Sequence, residues 1–212
     1  MNKQQKAAIE YYDKFSRVYD WLSPEWYYHN ARVYAIEQLA LNSGDTVLNL
    51  PCGTGQNFTY FQKYLNETGL IIGIDLSEGM LEKAKIKTAE NAWNNIKIIR
   101  EDATQINQEW FANHFGDSVK VAAILCDLGL SGFPNWEQII DNMLELLEPN
   151  GRLVIMDWYL PEPTLRGKLI KWVGKGEVDR PVYQYLKSKV AKFTVNTSFN
   201  GGGVFVATGI KP

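Results

Sequence analysis

Residues 47–57 read Val47-Leu48-Asn49-Leu50-Pro51-Cys52-Gly53-Thr54-Gly55-Gln56-Asn57, an apolar run that leads into a Gly-x-Gly turn. The apolar run predicts a buried strand, and the turn predicts the start of a helix. Glycine is needed there because a Cβ would obstruct both the sharp bend and the close approach of a ligand to the backbone. Phe58 stands where the dinucleotide fingerprint requires a third glycine. The loop therefore admits a nucleotide-like ligand and disfavours a nicotinamide cofactor.

Short aliphatic runs alternate along the chain with stretches of helical periodicity. The runs cover residues 46–50, 70–74, 96–99, 119–125 and 153–156. The best helical stretches are residues 77–90, which open with an N-cap serine, and residues 136–147, with apolar side chains at i, i+3, i+4 and i+7. Several runs are apolar at nearly every position, as expected when helices cover both faces of a sheet. These five runs, with the two of the C-terminal hairpin described next, predict an α/β fold with a doubly wound, mostly parallel, seven-stranded sheet. Ligand binding is expected at the carboxyl ends of its strands.

The pattern changes after Pro161 and Pro163. A segment of helical spacing leads to two alternating runs, residues 192–199 and 204–207, which are joined by Asn200-Gly201-Gly202-Gly203. Such a pair predicts a closing antiparallel hairpin. At the other end of the chain, residues 1–41 are rich in aromatics and predict an N-terminal helical cap before the first strand.

Acidic residues follow the second and third predicted strands. Asp75 stands twenty positions beyond Gly55, where a carboxylate can accept hydrogen bonds from both hydroxyls of a ribose. In Glu101-Asp102-Ala103, an acid can accept a hydrogen bond from the amino group of adenine, while Ala103 offers a backbone N–H as donor. Each element alone is also explained by ordinary turn glycines and solvated acids. Their order on successive strands predicts an adenosine site.

With these residues the sequence resembles the class I S-adenosylmethionine-dependent methyltransferases over most of its length. The matching stretches are residues 47–57, 72–81, 101–103, 124–128 and 147–153. The opening Tyr11-Tyr12-Asp13-Lys14-Phe15-Ser16-Arg17-Val18-Tyr19-Asp20 is similar to that of the ubiquinone/menaquinone-biosynthesis methyltransferases and of bacterial phosphatidylethanolamine N-methyltransferases. The resemblance implies S-adenosylmethionine as cofactor and S-adenosylhomocysteine as product.

The resemblance also implies which residues hold the cofactor. The backbone from Gly53 to Gly55 would pass beside the methionine part, Asp75 would hold the ribose, and Met80 and Ala103 would flank the adenine. The expected cofactor-binding residues are Tyr12, Tyr19, Asn49, Pro51, Gly53, Thr54, Gly55, Asn57, Asp75, Leu76, Met80, Asp102, Ala103, Cys126 and Asp127.

Three aromatic residues of the opening, Tyr12, Phe15 and Tyr19, are spaced over two helical turns. A sulfonium is attracted to aromatic faces, so they are expected to form a lid over the cofactor. The alternative is that they are the buried face of the first helix.

Two positions depart from the family pattern. Related methyltransferases usually have an acid at the position of Asn49 and a glycine at that of Pro51. The carboxylate expected to meet the methionine ammonium is therefore lost, and the turn is stiffened. Asn49 can still accept a hydrogen bond, and Asp127 is expected to supply a charge from the adjacent fourth strand.

Methyl transfer from a sulfonium mainly requires a nucleophile held in line with the S–CH₃ bond, so a dedicated base is optional. The candidate catalytic residues are Asp127, His29 and Tyr19. A surface or packing role is the alternative for His29. Cys52 and Cys126 follow predicted neighbouring strands and are expected to be buried, inert thiols.

The segment after Pro163 is basic, with eight Lys or Arg against two acids up to Lys192, a balance of 8 − 2 = +6. Leu165, Leu169 and Trp172 recur at i, i+4 and i+7, while Lys168, Lys171 and Lys175 share another face. Residues 165–175 are therefore a candidate for peripheral contact with an anionic membrane, and a small-molecule, quinol-like or lipid acceptor is expected. The alternative is that the apolar residues pack on the domain and the lysines are merely solvated.

Composition and length limit the remaining choices. A net charge of −2 gives no support to a nucleic-acid partner, and the fourth-strand segment lacks the Asn/Asp-Pro-Pro-aromatic signature of nucleic-acid and glutamine methylation. Two cysteines outside Cys-x-x-Cys spacing favour a reducing cytoplasm and no metal site. No run approaches the roughly 20 apolar residues of a membrane helix. The 212 residues fit one domain, divided into a lid (1–41), a cofactor-binding core (42–160) and a basic helical segment with the hairpin (161–212).

Three functions follow from these observations. The first is an enzyme that transfers a methyl group to O, N or C of a small metabolite or lipid. The second is a non-catalytic module that binds S-adenosylmethionine, which Asn49 and Pro51 favour. The third is a methyltransferase for nucleic acid or protein, which only the basic segment favours. The identity of the acceptor and the oligomeric state are not determined by the sequence.

Overall fold

The computed structural model describes residues 25–162, 165–174 and 176–212. Within these residues the helices are α1 (Glu25–Gln38), α2 (Phe58–Leu65), α3 (Glu78–Glu90), α4 (Gln108–Phe115), α5 (Trp136–Leu146), α6 (Leu165–Gly174) and α7 (Val182–Lys189). The strands are β1 (Thr46–Asn49), β2 (Leu70–Asp75), β3 (Ile96–Arg100), β4 (Val121–Asp127), β5 (Leu147–Trp158), β6 (Lys192–Phe199) and β7 (Val204–Ile210). A short 3₁₀ helix spans Ala103–Gln105.

The seven strands form one sheet in the order β3-β2-β1-β4-β5-β7-β6. Strands β1 to β5 are parallel, and β7 is antiparallel to both β5 and β6. The prediction of a doubly wound, mostly parallel sheet with a closing hairpin is therefore confirmed. Strand order reverses between β1 and β4, and the loops at the carboxyl ends of these two strands face the crevice where such folds bind ligands.

Two apolar clusters cover the two faces of the sheet. One contains the alternate strand residues Val47, Ile71 and Leu125, and the other contains their neighbours Leu48, Ile72 and Ile124. Each strand thus buries both of its faces, which explains its nearly continuous apolar sequence. Cys52 belongs to the first cluster and Cys126 to the second, so the two thiols pack on opposite faces.

Strand β5 differs from the prediction because it begins at Leu147 rather than at residue 153. Leu147 already pairs with Val121, and a register shift follows before Arg152 pairs with Ala123. The turn-forming residues Pro149-Asn150-Gly151 lie within this irregular stretch, which is why the sequence pattern missed it.

Helix α1 packs against β5 and β7 through a buried stripe spaced at i, i+3, i+4 and i+7. The stripe consists of Tyr28, Ala31, Arg32, Ala35, Ile36 and Leu39. The rest of the predicted lid, including Tyr12, Phe15 and Tyr19, lies outside the described residues. Among the described residues, no helix combines the length and the hydropathy that a membrane span requires.

Candidate functional site

The loop after β1 is tied to both neighbouring strands. The backbone N–H of Leu50 donates to the carbonyl of Leu125 at the end of β4 (3.0 Å), and that of Cys52 donates to Ile74 in β2 (2.8 Å). The backbone N–H of Gly53 donates to Oδ2 of Asp75 (2.9 Å). The glycine loop is therefore held at the carboxyl edge of the sheet by contacts on both sides.

The two glycines of this loop face different surroundings. Both have a positive φ, +54° at Gly53 and +74° at Gly55. A Cβ on Gly55 would stand 2.8 Å from the ring of Phe58, whereas a Cβ on Gly53 would meet no atom within 4 Å among the described residues. The absence of a side chain at Gly55 thus lets the start of α2 pack against the core. At Gly53 it leaves open space beside the loop.

Phe58 explains why the third glycine of a dinucleotide fingerprint is not needed. Its fully buried ring lies under the loop and also blocks a Cβ at Gly73 of β2, where the separation would be 2.7 Å. The helix is therefore packed onto the sheet by an aromatic side chain against two glycines.

Asp75 ends β2 and holds two loop segments. Its Oδ2 accepts from the backbone N–H of Gly53, and its Oδ1 accepts from that of Ser77 (3.0 Å). A carboxylate has two acceptor oxygens, each with two lone pairs. The arrangement is suited to binding the two hydroxyls of a ribose, which is the role predicted from the sequence.

The loop after β3 contains the predicted adenine motif. Asp102 caps the 3₁₀ helix, since its Oδ1 accepts from the backbone N–H and the hydroxyl of Thr104, both at 2.9 Å. Glu101 accepts from the indole N–H of Trp110 (3.0 Å). Ala103 and Met80 are both buried. Trp110 thus holds Glu101 in place, and Asp102 lies just after the edge strand β3.

A buried network of amides and one carboxylate joins the ends of β1 and β4. The Nδ2 of Asn49 donates to Oδ1 of Asp127 (3.2 Å) and to the carbonyls of Pro51 (3.1 Å) and Leu125 (3.3 Å). The Nδ2 of Asn57 donates to Oδ1 of Asn49 (3.0 Å) and to Oδ1 of Asp127 (2.9 Å). Asn49, in place of an acid, therefore holds the negative charge of Asp127 in position.

Arg32 of α1 completes this network, and sequence analysis did not identify it. Its Nη2 lies 3.5 Å from Oδ2 of Asp127, and its side chain is only 3% exposed. The signal was present in the sequence, because a charged residue interrupts the apolar stripe of α1. A charge at a core position is rare unless it has a partner.

The loop after β4 is fixed by contacts from β5 and from the segment before α7. Asp157 accepts from the backbone N–H of Ser131 (2.9 Å), and Nη1 of Arg180 donates to the carbonyls of Leu130 and Phe133, both at 2.6 Å. Burial raises the pKa of the Asp157 carboxyl to about 6. A Cβ on Gly129 would overlap Cδ of Pro51, so this loop packs directly on the loop after β1.

The predicted site residues are brought together only in part. Those at the ends of β1, β2, β3 and β4 lie along one edge of the sheet, whereas Tyr12 and Tyr19 lie outside the described residues. His29 is exposed on α1, and its Nδ1 lies 3.1 Å from the hydroxyl of Tyr60. Cys52 and Cys126 are free thiols whose pKa burial raises well above the usual value, so both are poor nucleophiles. Among the described residues no group of three or more metal-ligating side chains occurs.

A model of the methyltransferase domain family matches residues 41–181. This chain belongs to that family. The methyltransferase is 28% identical over 178 residues to the demethylmenaquinone methyltransferase of Desulfitobacterium hafniense (strain Y51), a match that covers 76% of this chain and 65% of that protein. It is 28% identical over 167 residues to the demethylmenaquinone methyltransferase of Staphylococcus aureus (strain JH9), covering 77% of this chain and 64% of that protein. The methyltransferase thus spans just under two thirds of the length of these relatives.

The fold is also that of solved methyltransferases. The structure of an S-adenosylmethionine-dependent methyltransferase from Aquifex aeolicus superposes with a TM-score of 0.61 at 18% identity and covers 85% of this chain and 89% of that one. Together with the family match, this makes the chain a class I methyltransferase domain with S-adenosylmethionine as methyl donor.

The residues present fit this donor. Gly53 leaves open space on one side of the loop, and the Asp75 carboxylate stands beside it, 2.9 Å from the Gly53 backbone nitrogen. The individual contacts of the predicted cofactor-binding residues remain predictions.

Proposed function

We propose that this chain transfers the methyl group of S-adenosylmethionine to a small, quinol-like acceptor. The observation that carries the proposal is its similarity, at 28% identity, to proteins named demethylmenaquinone methyltransferase. The loop after β4 agrees with it, because Asp127-Leu128-Gly129-Leu130 lacks the Asn/Asp-Pro-Pro-aromatic signature of nucleic-acid and glutamine methylation.

The chemistry requires little of the protein beyond positioning. The donor supplies a methyl group on a positively charged sulfur, which is an excellent leaving group. In the proposed step a nucleophilic ring carbon of the quinol forms the new C–CH₃ bond, the S–CH₃ bond breaks with its electron pair going to sulfur, and the ring carbon loses its proton. Holding the two reactants in line contributes an effective concentration of about 10⁵ M or more.

The candidate bases Asp127 and His29 differ in their hydrogen-bond and ion-pair partners. The Asp127 carboxylate is already engaged by Asn49, Asn57 and Arg32, which favours a binding role over proton abstraction. His29 is exposed, and its Nδ1 lies next to the hydroxyl of Tyr60. Its Nε2 is therefore the ring nitrogen that would take a proton from the acceptor. We therefore propose His29 before Asp127 as the group that takes the proton, with Tyr19 as the remaining candidate.

Aromatic residues at the carboxyl end of β5 suit an aromatic acceptor. Trp158 is buried, and its ring stacks on that of Tyr27 at a centroid distance of 6.4 Å. Tyr28 meets Trp158 edge-on at 6.1 Å. Tyr27 is the exposed ring of the three, at 36%, and the other two hold it in a fixed orientation. Its face offers apolar area to an aromatic acceptor, which favours a fused-ring quinol over a small polar amine.

Turnover on a panel of acceptors tests the proposal. The purified protein would be incubated with S-adenosylmethionine and a 2-prenyl-1,4-naphthoquinol, a phenol, an amine or a phosphatidylethanolamine dispersion, and S-adenosylhomocysteine and methylated product would be measured by mass spectrometry. We expect methylation of the naphthoquinol, reduced strongly in an Asp75→Ala control. Methylation of the amine or lipid alone would refute the quinol assignment. Donor binding without any turnover would favour the non-catalytic module.

We also propose that α6 touches an anionic membrane surface, where a polyprenyl quinol would reside. Leu165 is 86% exposed, and Lys168 and Lys171 are exposed on the same helix. Ile170 and Gly167, by contrast, are turned toward the protein. An exposed leucine beside two lysines is typical of a helix resting on a membrane.

Co-sedimentation with vesicles that contain phosphatidylglycerol tests this contact. Lys168→Glu/Lys171→Glu is expected to abolish binding at low salt. Lys85→Glu/Lys120→Glu makes the same change of charge at two exposed lysines elsewhere and is expected to retain it. Equal loss in both variants, or no binding by the unmodified protein, would exclude a specific role for α6.

A further inference from the structure

A short segment before α7, residues 176–180, joins the loop after β4 to the loop after β5, and we call it the bridging segment. The backbone N–H of Glu177 donates to the carbonyl of Ser131 in the loop after β4 (2.7 Å). The backbone N–H of Leu160, in the loop after β5, donates to the carbonyl of Val178 (2.6 Å). The bridging segment therefore fixes these two loops relative to each other.

Arg180, the last residue of the bridging segment, provides the strongest of these contacts. Its Nη1 donates to the carbonyls of Leu130 and Phe133, both at 2.6 Å, and its side chain is only 16% exposed. Its Nε lies 3.1 Å from Glu177, but that carboxylate is 55% exposed, so water screens the pair. Hydrogen bonds from a charged donor are stronger than neutral ones, so the two carbonyls are the main partners of the guanidinium.

The loop that Arg180 holds begins with a strained residue. Leu128 has a φ of +55°, a conformation that glycine or asparagine adopts readily and leucine does not. The backbone N–H of Leu128 donates to the carbonyl of Met156 (2.7 Å). That of Ser131 donates to Asp157 (2.9 Å). Strained backbone of this kind persists only where surrounding contacts impose it, and it is concentrated at functional sites.

The surroundings of Leu128 indicate which function the strain serves. Leu128 directly follows Asp127 at the end of β4, and it packs on the apolar cluster that contains Trp158 and Tyr28. These two rings contact Tyr27, whose exposed face is proposed above to meet an aromatic acceptor. The loop that Arg180 holds is therefore part of the wall on the acceptor side of the crevice.

We propose that Arg180 is a positioning residue for the methyl acceptor, which acts by holding Leu128 and the rest of the loop after β4 against the bridging segment. The inference rests on the proposed function, because it concerns the acceptor. The loop after β1 has its own hydrogen bonds to Leu125 in β4 and to Ile74 in β2. Loss of the Arg180 contacts is therefore expected to displace the acceptor side of the crevice and to leave the donor side in place.

Steady-state kinetics of Arg180→Met test this role. The acceptor is the 2-prenyl-1,4-naphthoquinol named above or, if that is not methylated, the member of the same panel that is. The acceptor KM is expected to rise at least about fivefold and kcat/KM to fall by about 10- to 100-fold, because a misplacement of about 1 Å can cost about 100-fold. The affinity for S-adenosylhomocysteine, measured by calorimetry, should stay within about twofold. A purely structural role would lower Tm and leave the KM of the folded enzyme unchanged.

Hydrogen exchange provides a second readout that needs no turnover. With S-adenosylhomocysteine bound, the backbone amides of residues 128–133 should exchange at least about 10-fold faster in Arg180→Met than in the unmodified protein, because the loop opens more easily without the guanidinium. Arg180→Lys keeps the charge but not the planar fork that reaches both carbonyls, so its KM and exchange rates should be intermediate. This variant also provides the test should Arg180→Met fail to fold.

Arg152→Met is the matched control. Nη1 of Arg152 also donates to a backbone carbonyl, that of Gln38 at the end of α1 (3.1 Å), and makes no contribution to the bridging segment. This control should leave the acceptor KM and the exchange of residues 128–133 unchanged. The inference is overturned if the Arg180 variants match the control in either measurement, or if they weaken S-adenosylhomocysteine as much as they lower kcat/KM. Turnover on an acceptor other than the naphthoquinol would refute only the quinol assignment, whereas no turnover by the unmodified protein on any acceptor would refute both.

Discussion

Restoring the family acid at position 49 is expected to damage this protein. Asn49 is completely buried, and its Nδ2 donates to Asp127 and to two backbone carbonyls. An Asn49→Asp substitution replaces this donor by a carboxylate oxygen. The new carboxylate oxygen would face the three acceptors to which Nδ2 now donates, with no hydrogen to share with them. It would also place a second carboxylate beside that of Asp127.

The size of the effect follows from the geometry. The Nδ2 of Asn49 and Oδ1 of Asp127 are 3.2 Å apart, and two charges at that distance repel by about 5 kcal/mol at an effective dielectric constant of about 20. Protonating one carboxyl removes this repulsion, but it costs about 4 kcal/mol at pH 7 for a carboxyl with a reference pKa of about 3.9. The expected loss of unfolding free energy is therefore about 3 to 4 kcal/mol at pH 7, which lowers Tm by roughly 6–16 °C for a chain of this size.

Thermal unfolding at pH 5 and pH 7.5 tests the reasoning. The folded variant keeps one of the two carboxyls protonated, whereas the unfolded chain ionises both above about pH 4. The cost of holding this proton is smaller at lower pH, so the destabilisation should shrink to about 1–2 kcal/mol at pH 5. Asn49→Asp/Asp127→Asn removes the repulsion between the two carboxylates and should recover part of the loss but not all of it, because Arg32 then loses the acid with which it pairs. A Tm within about 2 °C of the unmodified protein, or a deficit that is the same at both pH values, would refute the argument.

Three further predictions follow from the site. Gly53→Ala should cost only about 1 kcal/mol of stability, because its Cβ meets open space, but it should weaken the binding of S-adenosylhomocysteine measured by calorimetry. Gly55→Ala should cost about 2–4 kcal/mol of stability, because its Cβ clashes with Phe58. Equal Tm values for the two variants would contradict this. Asp75→Ala should weaken S-adenosylhomocysteine by about 10- to 100-fold, and an unchanged affinity would exclude the ribose role. Asp157, whose pKa burial raises from 3.8 to about 6, binds its proton more tightly in the folded protein, so stability falls as pH rises from about 4 to about 6, by up to roughly 3 kcal/mol. Chemical denaturation across this range should show the decline in the unmodified protein and not in Asp157→Asn.

The sheet was predictable from the sequence because its signals are local. Each parallel strand is a continuous apolar run, and Asp75 and Asp127 mark where two of them end. The start of β5 was missed because Pro149-Asn150-Gly151 has the composition of a turn, while pairing of Leu147 with Val121 keeps the segment in the sheet. Pairing between distant strands outweighs local preference at such an edge.

The candidate site was predictable only where one strand end determines it. The loop from Gly53 and the acid Asp75 belong to single motifs, whereas the partners of Asp127 come from β1, α2 and α1. No spacing in the sequence joins Arg32 to Asp127, which stand 95 positions apart (127 − 32 = 95). Only the interruption of an apolar helical stripe by Arg32 indicated that a buried partner had to exist.

The position of the negative charge in this site follows from the cost of burial. Position 49 is fully enclosed, whereas the Asp127 side chain, at 9% exposure, lies one strand further along and nearer the crevice. A carboxylate loses less hydration there, and it meets a guanidinium that position 49 does not contact. With the charge on β4, Asn49 and Asn57 can donate to it from β1 and α2, and α1 is joined to the same point through Arg32. The change from acid to amide in the first motif is therefore coupled to the arginine of α1, and neither is expected to tolerate replacement without the other.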